Sequence, residues 1–302
     1  RRPAYRIVLE DGREIIASAD HRFLSARGRW KHVTGKESGR ARRPHLTTND
    51  KLPGIGTFVA DPMESSEYKS GYLCGMIRGD AYVWPPFRER PERPHVKKRP
   101  TQFRLALADI EGLQRTNRYL RDASLVAREF VFQRASANRR EMNAISLSRR
   151  AQVDQVLDLA EFPAAISSDW SKGFLAGIFD AEGSYSCGVL RISNTDPTIT
   201  YHVRACLRRF GFDAVLEGTP NGPGHGKSAS VRLRGGVPAA IRFFQTVNPA
   251  ITRKRSILGG AVKRFVDTGS RVVRVEAIGI WLPMFDMTTT TGDFIANGVV
   301  SH

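Results

Sequence analysis

The sequence predicts an α+β fold with an internal duplication, flanked at both ends by β structure. Three observations carry this. The stretch Gly71-Tyr72-Leu73-Cys74-Gly75-Met76-Ile77-Arg78-Gly79-Asp80 recurs as Gly173-Phe174-Leu175-Ala176-Gly177-Ile178-Phe179-Asp180-Ala181-Glu182, at a constant offset of 102 positions. A strand-then-helix pattern follows each copy, with Arg104, Asp109 and Leu120 matching Arg191, Asp196 and Leu207 at an offset of 87. Both ends of the chain carry short apolar runs around Asp11-Gly12 and Asn297-Gly298, which are hairpin-turn signals.

In each repeated stretch a small residue returns every fourth place (Gly71, Gly75, Gly79; Gly173, Gly177, Ala181). On a helix that spacing draws one smooth stripe. Glycine destabilises a helix by roughly 1 kcal/mol relative to alanine, so the stripe needs a reason, and close backbone approach to a second such helix supplies one. If the stripes face each other, Asp80 and Glu182 meet at the C-terminal ends. A carboxylate there opposes the macrodipole, and two side by side repel. A hard divalent cation such as Mg²⁺ resolves both conflicts. The alternative, two buried helices that each happen to end in an acid, has to explain the identical register.

In chain order, Tyr5–Leu9 and Glu14–Ala17 read as paired strands, and residues 35–70 as a polar connection. Tyr82–Trp84 and Phe103–Leu107 read as strands around residues 85–100, too proline-rich for a helix or inner strand. That basic loop accounts for the 15-residue difference between the two offsets. Helices are expected over 112–121 and 198–210, a link between the halves over 162–170, and strands over 185–193 and 228–234, with 218–227 as a Gly/Pro-rich tip. The duplication implies a pseudo-twofold monomer with repeats at about 67–160 and 168–268, strand layers lying on either side of the paired helices.

The 47 Lys+Arg against 30 Asp+Glu give a net charge of +17, which points to a polyanion, most often nucleic acid. The strands of the second half alternate arginine with apolar residues, so Arg191 and one of Arg232 or Arg234 are expected on a DNA-facing surface, where arginine can read guanine edges. Arg104 occupies the matching place in the first half. Arg88, Arg90, Lys97, Lys98 and Arg99 of the basic loop are candidate phosphate contacts. No apolar run of about 18 residues is present, so no membrane span is expected. Arg1-Arg2-Pro3 has no apolar region behind it, so no signal peptide is expected. Three cysteines (Cys74, Cys187, Cys206) without metal-ligand spacing suit a reducing, cytoplasmic compartment.

The two repeated stretches resemble the signature motifs of LAGLIDADG homing endonucleases. The resemblance implies that Asp80 and Glu182, at the eighth motif position, bind catalytic metal. It implies cleavage of both strands of a long, asymmetric DNA site by Mg²⁺-dependent phosphodiester hydrolysis, and a monomer. In the first motif Arg78 stands where an acid is usual and Ala81 where glycine is usual, and glycine is favoured just past a helix end. Related enzymes often carry a lysine near the metals; Lys254 is the candidate, to stabilise the transition state or simply to contact phosphate. The ends resemble the Hint splicing domain of inteins. Asp11–Leu24 with Trp30–Val33 carries Ser18 and His21 in a Thr-x-x-His-like element, and Met284–His302 carries Asp286, Asp293 and His302. This implies a discontinuous all-β splicing domain over 1–60 and 272–302, interrupted by the endonuclease over 67–268, with host exteins as partners in a precursor. The terminal nucleophile and the asparagine that the resemblance calls for are absent from the sequence, so no splicing by these residues alone is expected. Two rival readings are a cleavage-inactive DNA- or RNA-binding protein (maturase-like, or a degenerate intein) and an intein whose main activity is splicing.

Overall fold

The computed structural model describes residues 1–35, 43–54, 62–84, 101–218, 229–256, 269–285, 287, 289 and 294–302. In chain order these form β1 (Arg2–Leu9), β2 (Glu14–Ser18), β3 (Arg22–Leu24), β4 (Trp30–His32), β5 (Lys51–Leu52), α1 (Ser66–Asp80), β6 (Tyr82–Trp84), β7 (Gln102–Leu107), α2 (Ile110–Asp122), β8 (Arg128–Gln133), β9 (Met142–Leu147) and α3 (Arg150–Leu159). There follow α4 (Ser168–Glu182), β10 (Gly183–Ser186), β11 (Val189–Asn194), α5 (Pro197–Arg209), β12 (Ala214–Gly218), β13 (Ala229–Leu233), α6 (Gly236–Val247), a 3₁₀ turn (Thr252–Arg255), β14 (Ser270–Leu282), β15 (Phe294–Ala296) and β16 (Val299–Ser301). The chain divides into two units, Arg1–Val59 with Val262–His302, and Ala60–Ala261.

The first unit has strands and no helix among its described residues. They form two sheets, β2-β1-β14-β5 and β15-β16-β3-β4. Alternation along β1 and β2 sends Ile7, Leu9, Ile15 and Ala17 into one core with Phe23, Leu52, Val272 and Val299. Gly12, at φ 82°, lets the chain reverse between β1 and β2. Asn297 and Gly298, both in the left-handed region, make the two-residue turn that joins β15 to β16.

The second unit is one topology used twice. Its sheets run β6-β7-β9-β8 and β10-β11-β13-β12, with the same strand order and antiparallel neighbours throughout. Each half therefore reads helix, two strands, helix, two strands, helix. Residues 185–193 are not the single strand that the sequence suggests: the chain reverses at Cys187 and Gly188, whose φ values of 50° and 77° close the β10–β11 hairpin. Cysteine rarely occupies a left-handed turn position, which hid the turn. On the inner faces Phe103, Leu105, Leu190, Ile192, Val231 and Leu233 join one core with the helices. No helix among the described residues is long and apolar enough to cross a membrane.

Candidate active site

α1 and α4 form the centre of the second unit. Each starts at a serine, Ser65 and Ser167, whose hydroxyl accepts from the amide three residues on (Tyr68 at 3.2 Å, Trp170 at 3.1 Å). The glycine stripes meet. A Cβ added at Gly173 would sit 2.0 Å from the Tyr68 carbonyl oxygen, at Gly177 2.1 Å from that of Tyr72, and at Gly71 2.2 Å from that of Trp170. Only glycine permits this backbone approach. At the far end a Cβ on Gly79 would lie 3.2 Å from Cγ of Glu182, so the glutamate side chain runs along the residue that precedes Asp80.

The two acids thus face each other at the helix ends. Burial and the charge of Asp80 push the Glu182 carboxyl up to about 7, against the opposing pull of Lys254 and of an Asn194 amide bond at 3.0 Å. Asp80 is solvent-exposed at the helix terminus, but the protein around it still raises its carboxyl, with Lys254 opposing. Both helices end in extended backbone, at φ −80° for Ala81 and −81° for Gly183, so neither position needs a left-handed residue. Ala81 is accommodated without strain. Gly183 is required for a different reason: a Cβ there would lie 2.2 Å from the Phe179 ring.

Lys254 reaches this place from the 3₁₀ turn. Its Nζ donates to the carbonyls of Phe179 (3.4 Å), Asp180 and Ala181 (3.0 Å) at the C-terminal end of α4; the Phe179 carbonyl also accepts from the Gly183 amide. The turn is held from two sides. Asp180 is buried inside α4, and its carboxylate accepts from the amides of Ala250 (2.7 Å) and Ile251 (3.0 Å) and from the hydroxyl of Tyr72 (2.8 Å). Arg253 forms a two-point ion pair with Asp109, 2.6 Å at each contact. Asp109 precedes α2, yet its side chain does not cap that helix, while its repeat partner Asp196 caps α5 through the Thr198 amide at 2.8 Å. Asp180, Asn194 and the Asp109–Arg253 pair were not recognisable as site residues from sequence; an acid in an otherwise apolar helix was the one available signal.

Arg78 is the counterpart of Asp180 at the repeat offset. It donates to the Ala160 carbonyl, just past α3, and lies 4.3 Å from the Phe162 ring. Both motif residues therefore tie their helix to the segment that follows the last helix of their own half. One does so by accepting from amides and the other by donating to a carbonyl, which is how a cation replaces the usual acid.

Replacing Asp180 with asparagine leaves one buried amide facing a side-chain NH₂. We expect a loss of about 2–4 kcal/mol, read as a lower urea midpoint. An unchanged midpoint would refute the anchoring role.

The outer faces of the two sheets differ. Arg191 and Arg232 are register partners on β11 and β13, and both pair with Glu217 of β12, at 3.5 and 2.5 Å. Arg234 lies beyond β13, 3.5 Å from Asp213. In the first sheet Arg104 rests against the rings of Tyr82 and Phe132, at 5.4 and 4.7 Å. Arg88, Arg90, Lys97, Lys98 and Arg99 lie outside the described residues, as do Asp286 and Asp293. In the first unit Ser18, His21 and His302 line one cavity of about 750 Å³, together with Met287, Thr289 and Phe294.

Among the described residues no group of three His, Cys, Asp or Glu side chains is placed to hold an ion. Two carboxylates suffice for Mg²⁺, which keeps waters and takes substrate phosphates as its remaining ligands. Asp80 and Glu182 fit it: both are hard oxygen donors, and both have carboxyls raised by surroundings that disfavour their negative charge.

No curated protein matches the chain. I-DmoI, solved in complex with DNA and Ca, is similar over 64% of this chain and 97% of its own, at 13% identity and a TM-score of 0.47. The N-terminal LAGLIDADG domain of DUF199/WhiA is similar over 62% and 83%, at 14% identity and 0.44. Full-length DUF199/WhiA from Thermatoga maritima covers 64% and 59%, at 14% and 0.44. Residues 169–248, the stretch from the start of α4 through the end of α6, match the LAGLIDADG-like domain family.

Proposed function

We propose that the second unit is a DNA endonuclease of the homing type, and that it hydrolyses phosphodiesters with Asp80 and Glu182 holding Mg²⁺. The observation that carries this reading is the meeting of those two acids at the ends of a glycine-packed helix pair, with both carboxyls held above their usual range. The match of residues 169–248 to the LAGLIDADG-like domain supports it. When bound, Mg²⁺ supplies charge stabilisation to phosphate oxygens as a water oxygen bonds to phosphorus and the ester P–O bond breaks. Lys254, fixed on the end of α4, adds a positive charge beside the same position. The outer sheet faces, with Arg104, Arg191, Arg232 and Arg234, hold the duplex, and the basic residues Arg88, Arg90, Lys97, Lys98 and Arg99 add phosphate contacts. Because the faces differ, the site is asymmetric, and one chain serves both half-sites as a monomer. The domain limits proposed from sequence, 67–268 with 1–60 and 272–302, belong to this reading. So does the first unit as a Hint splicing domain that uses Ser18, His21, Asp286, Asp293 and His302 and is joined to host exteins in a precursor.

A plasmid library of randomised duplex inserts tests the nuclease. Linear product in Mg²⁺ and none in EDTA is expected. Salt-sensitive binding with no scission in Mg²⁺ or Mn²⁺ refutes cleavage and leaves a second reading, a DNA-binding module. That reading is favoured by one observation: the Lys254 ammonium is already engaged by three carbonyls.

The raised Glu182 carboxyl has a consequence for stability. Its folded-state pKa of about 7 lies above its ordinary 4.5, so its contribution is full below about pH 4.5 and is lost as pH rises through about 7. Binding of a cation needs the ionised acid. The rise in Tm on adding Mg²⁺ should therefore be absent near pH 5 and complete by about pH 8. A pH-independent Mg²⁺ effect would place the ion elsewhere.

A further inference from the structure

Two arginines of the second sheet, Arg191 and Arg232, share one carboxylate. Glu217 lies on the same face as Arg191 and Arg232 and bridges both, from the outer strand β12. The two cations hold its carboxyl below the usual range, so it is ionised near neutrality. The matching face of the first sheet has aromatic rings against Arg104.

A carboxylate on a face that meets a polyanion works against binding. Any phosphate that takes Arg191 or Arg232 must displace Glu217 and then tolerate its charge nearby. Ion pairs at this exposure are weak, so displacement is possible. A guanine–cytosine pair removes the conflict. Guanine offers two acceptors to an arginine, and the cytosine amino group offers a donor to a carboxylate. Arg232 and Glu217 stand side by side on one face, Nε 2.5 Å from Oε1, so the two can meet the two bases of one pair.

We propose that Glu217 is a specificity-determining residue: it suppresses phosphate-driven, sequence-independent binding by the second half and favours a guanine–cytosine pair beneath β12 and β13. This rests on the reading of the second unit as DNA-binding.

The test uses the full chain and a mixed-sequence duplex of about 30 bp, with binding followed from about 50 to 200 mM KCl. Glu217→Gln should bind this duplex about tenfold more tightly at low salt, and its log–log salt slope should steepen by about 1 to 2 as the arginines reach phosphates. Glu217→Ala should behave alike, which separates the effect from any folding defect of one variant. Glu67→Gln is the control for net charge; this exposed residue sits in the first turn of α1, at the opposite end from Asp80, and should leave the slope unchanged. Wild-type binding with slopes equal to those of both Glu217 variants overturns the inference alone. An equal gain from Glu67→Gln also overturns it, because net charge then explains the effect. Absence of salt-sensitive binding by the wild type overturns the DNA-binding reading and this inference with it.

Discussion

Gly177→Ala should destabilise the second unit by about 3 kcal/mol, the upper end of what overpacked interiors lose. The direction is the informative part. In an isolated helix the same change is stabilising by roughly 1 kcal/mol. In the folded protein the new methyl would lie 2.1 Å from the Tyr72 carbonyl oxygen and 3.0 Å from the Met76 amide nitrogen. Those are backbone atoms of α1, so no rotamer change relieves the clash, and the helices must separate. Separation opens the core along both stripes and moves Asp80 away from Glu182. Gly218→Ala is the control. Among the described residues no atom lies within 4 Å of a Cβ added there, so its effect should stay within about 0.5 kcal/mol. Equal urea midpoints for the two variants would show that the stripe is not a packing device.

Glu182→Gln should lower DNA cleavage by about three orders of magnitude, or about 4 kcal/mol of barrier. The amide preserves shape and keeps an acceptor for Asn194, but it removes the charge that a cation would meet. It also removes the repulsion between the two acids, so the variant should melt at a higher temperature than the wild type in EDTA near pH 8. Opposite movements of activity and stability are the signature of a residue retained for chemistry. A variant that still cuts at near wild-type rate in Mg²⁺ would sink the paired-acid mechanism. One with lowered Tm in EDTA would assign Glu182 a structural role.

Part of this site is written in the sequence and part is not. The glycine stripes, the constant offset and the two terminal acids are local patterns, and the helix pair has the close approach that they require. The serines at positions 65 and 167 carry the same offset and mark both helix starts. Hairpins at Gly12 and Asn297-Gly298 were legible because those residues tolerate left-handed backbone; the one at Cys187 was not. What sequence could not supply were contacts between distant segments. Asp180 meets Ala250 and Ile251 across about seventy positions, and Asp109 meets Arg253 across 144. Lys254 was identified by analogy, but its bonds to the α4 carbonyls follow from where the turn is held. Arg78 looked like a departure from pattern and turns out to make an equivalent tie with reversed polarity.

The reversal leaves the two halves unequal in what they supply to each other. Asp180 takes one of its bonds from Tyr72 in the opposite half, and the repeat partner of Tyr72 is Phe174, which has no hydroxyl. Tyr68 bonds the Val247 carbonyl and Arg115 the Asn248 carbonyl, again across the halves. A homodimer assembled from two copies of the second half would lose the Tyr72 donor twice, and one assembled from the first half would have no buried acid at either motif. Each half is thus the complement of the other, and neither can be exchanged for a second copy of its partner without losing these bonds.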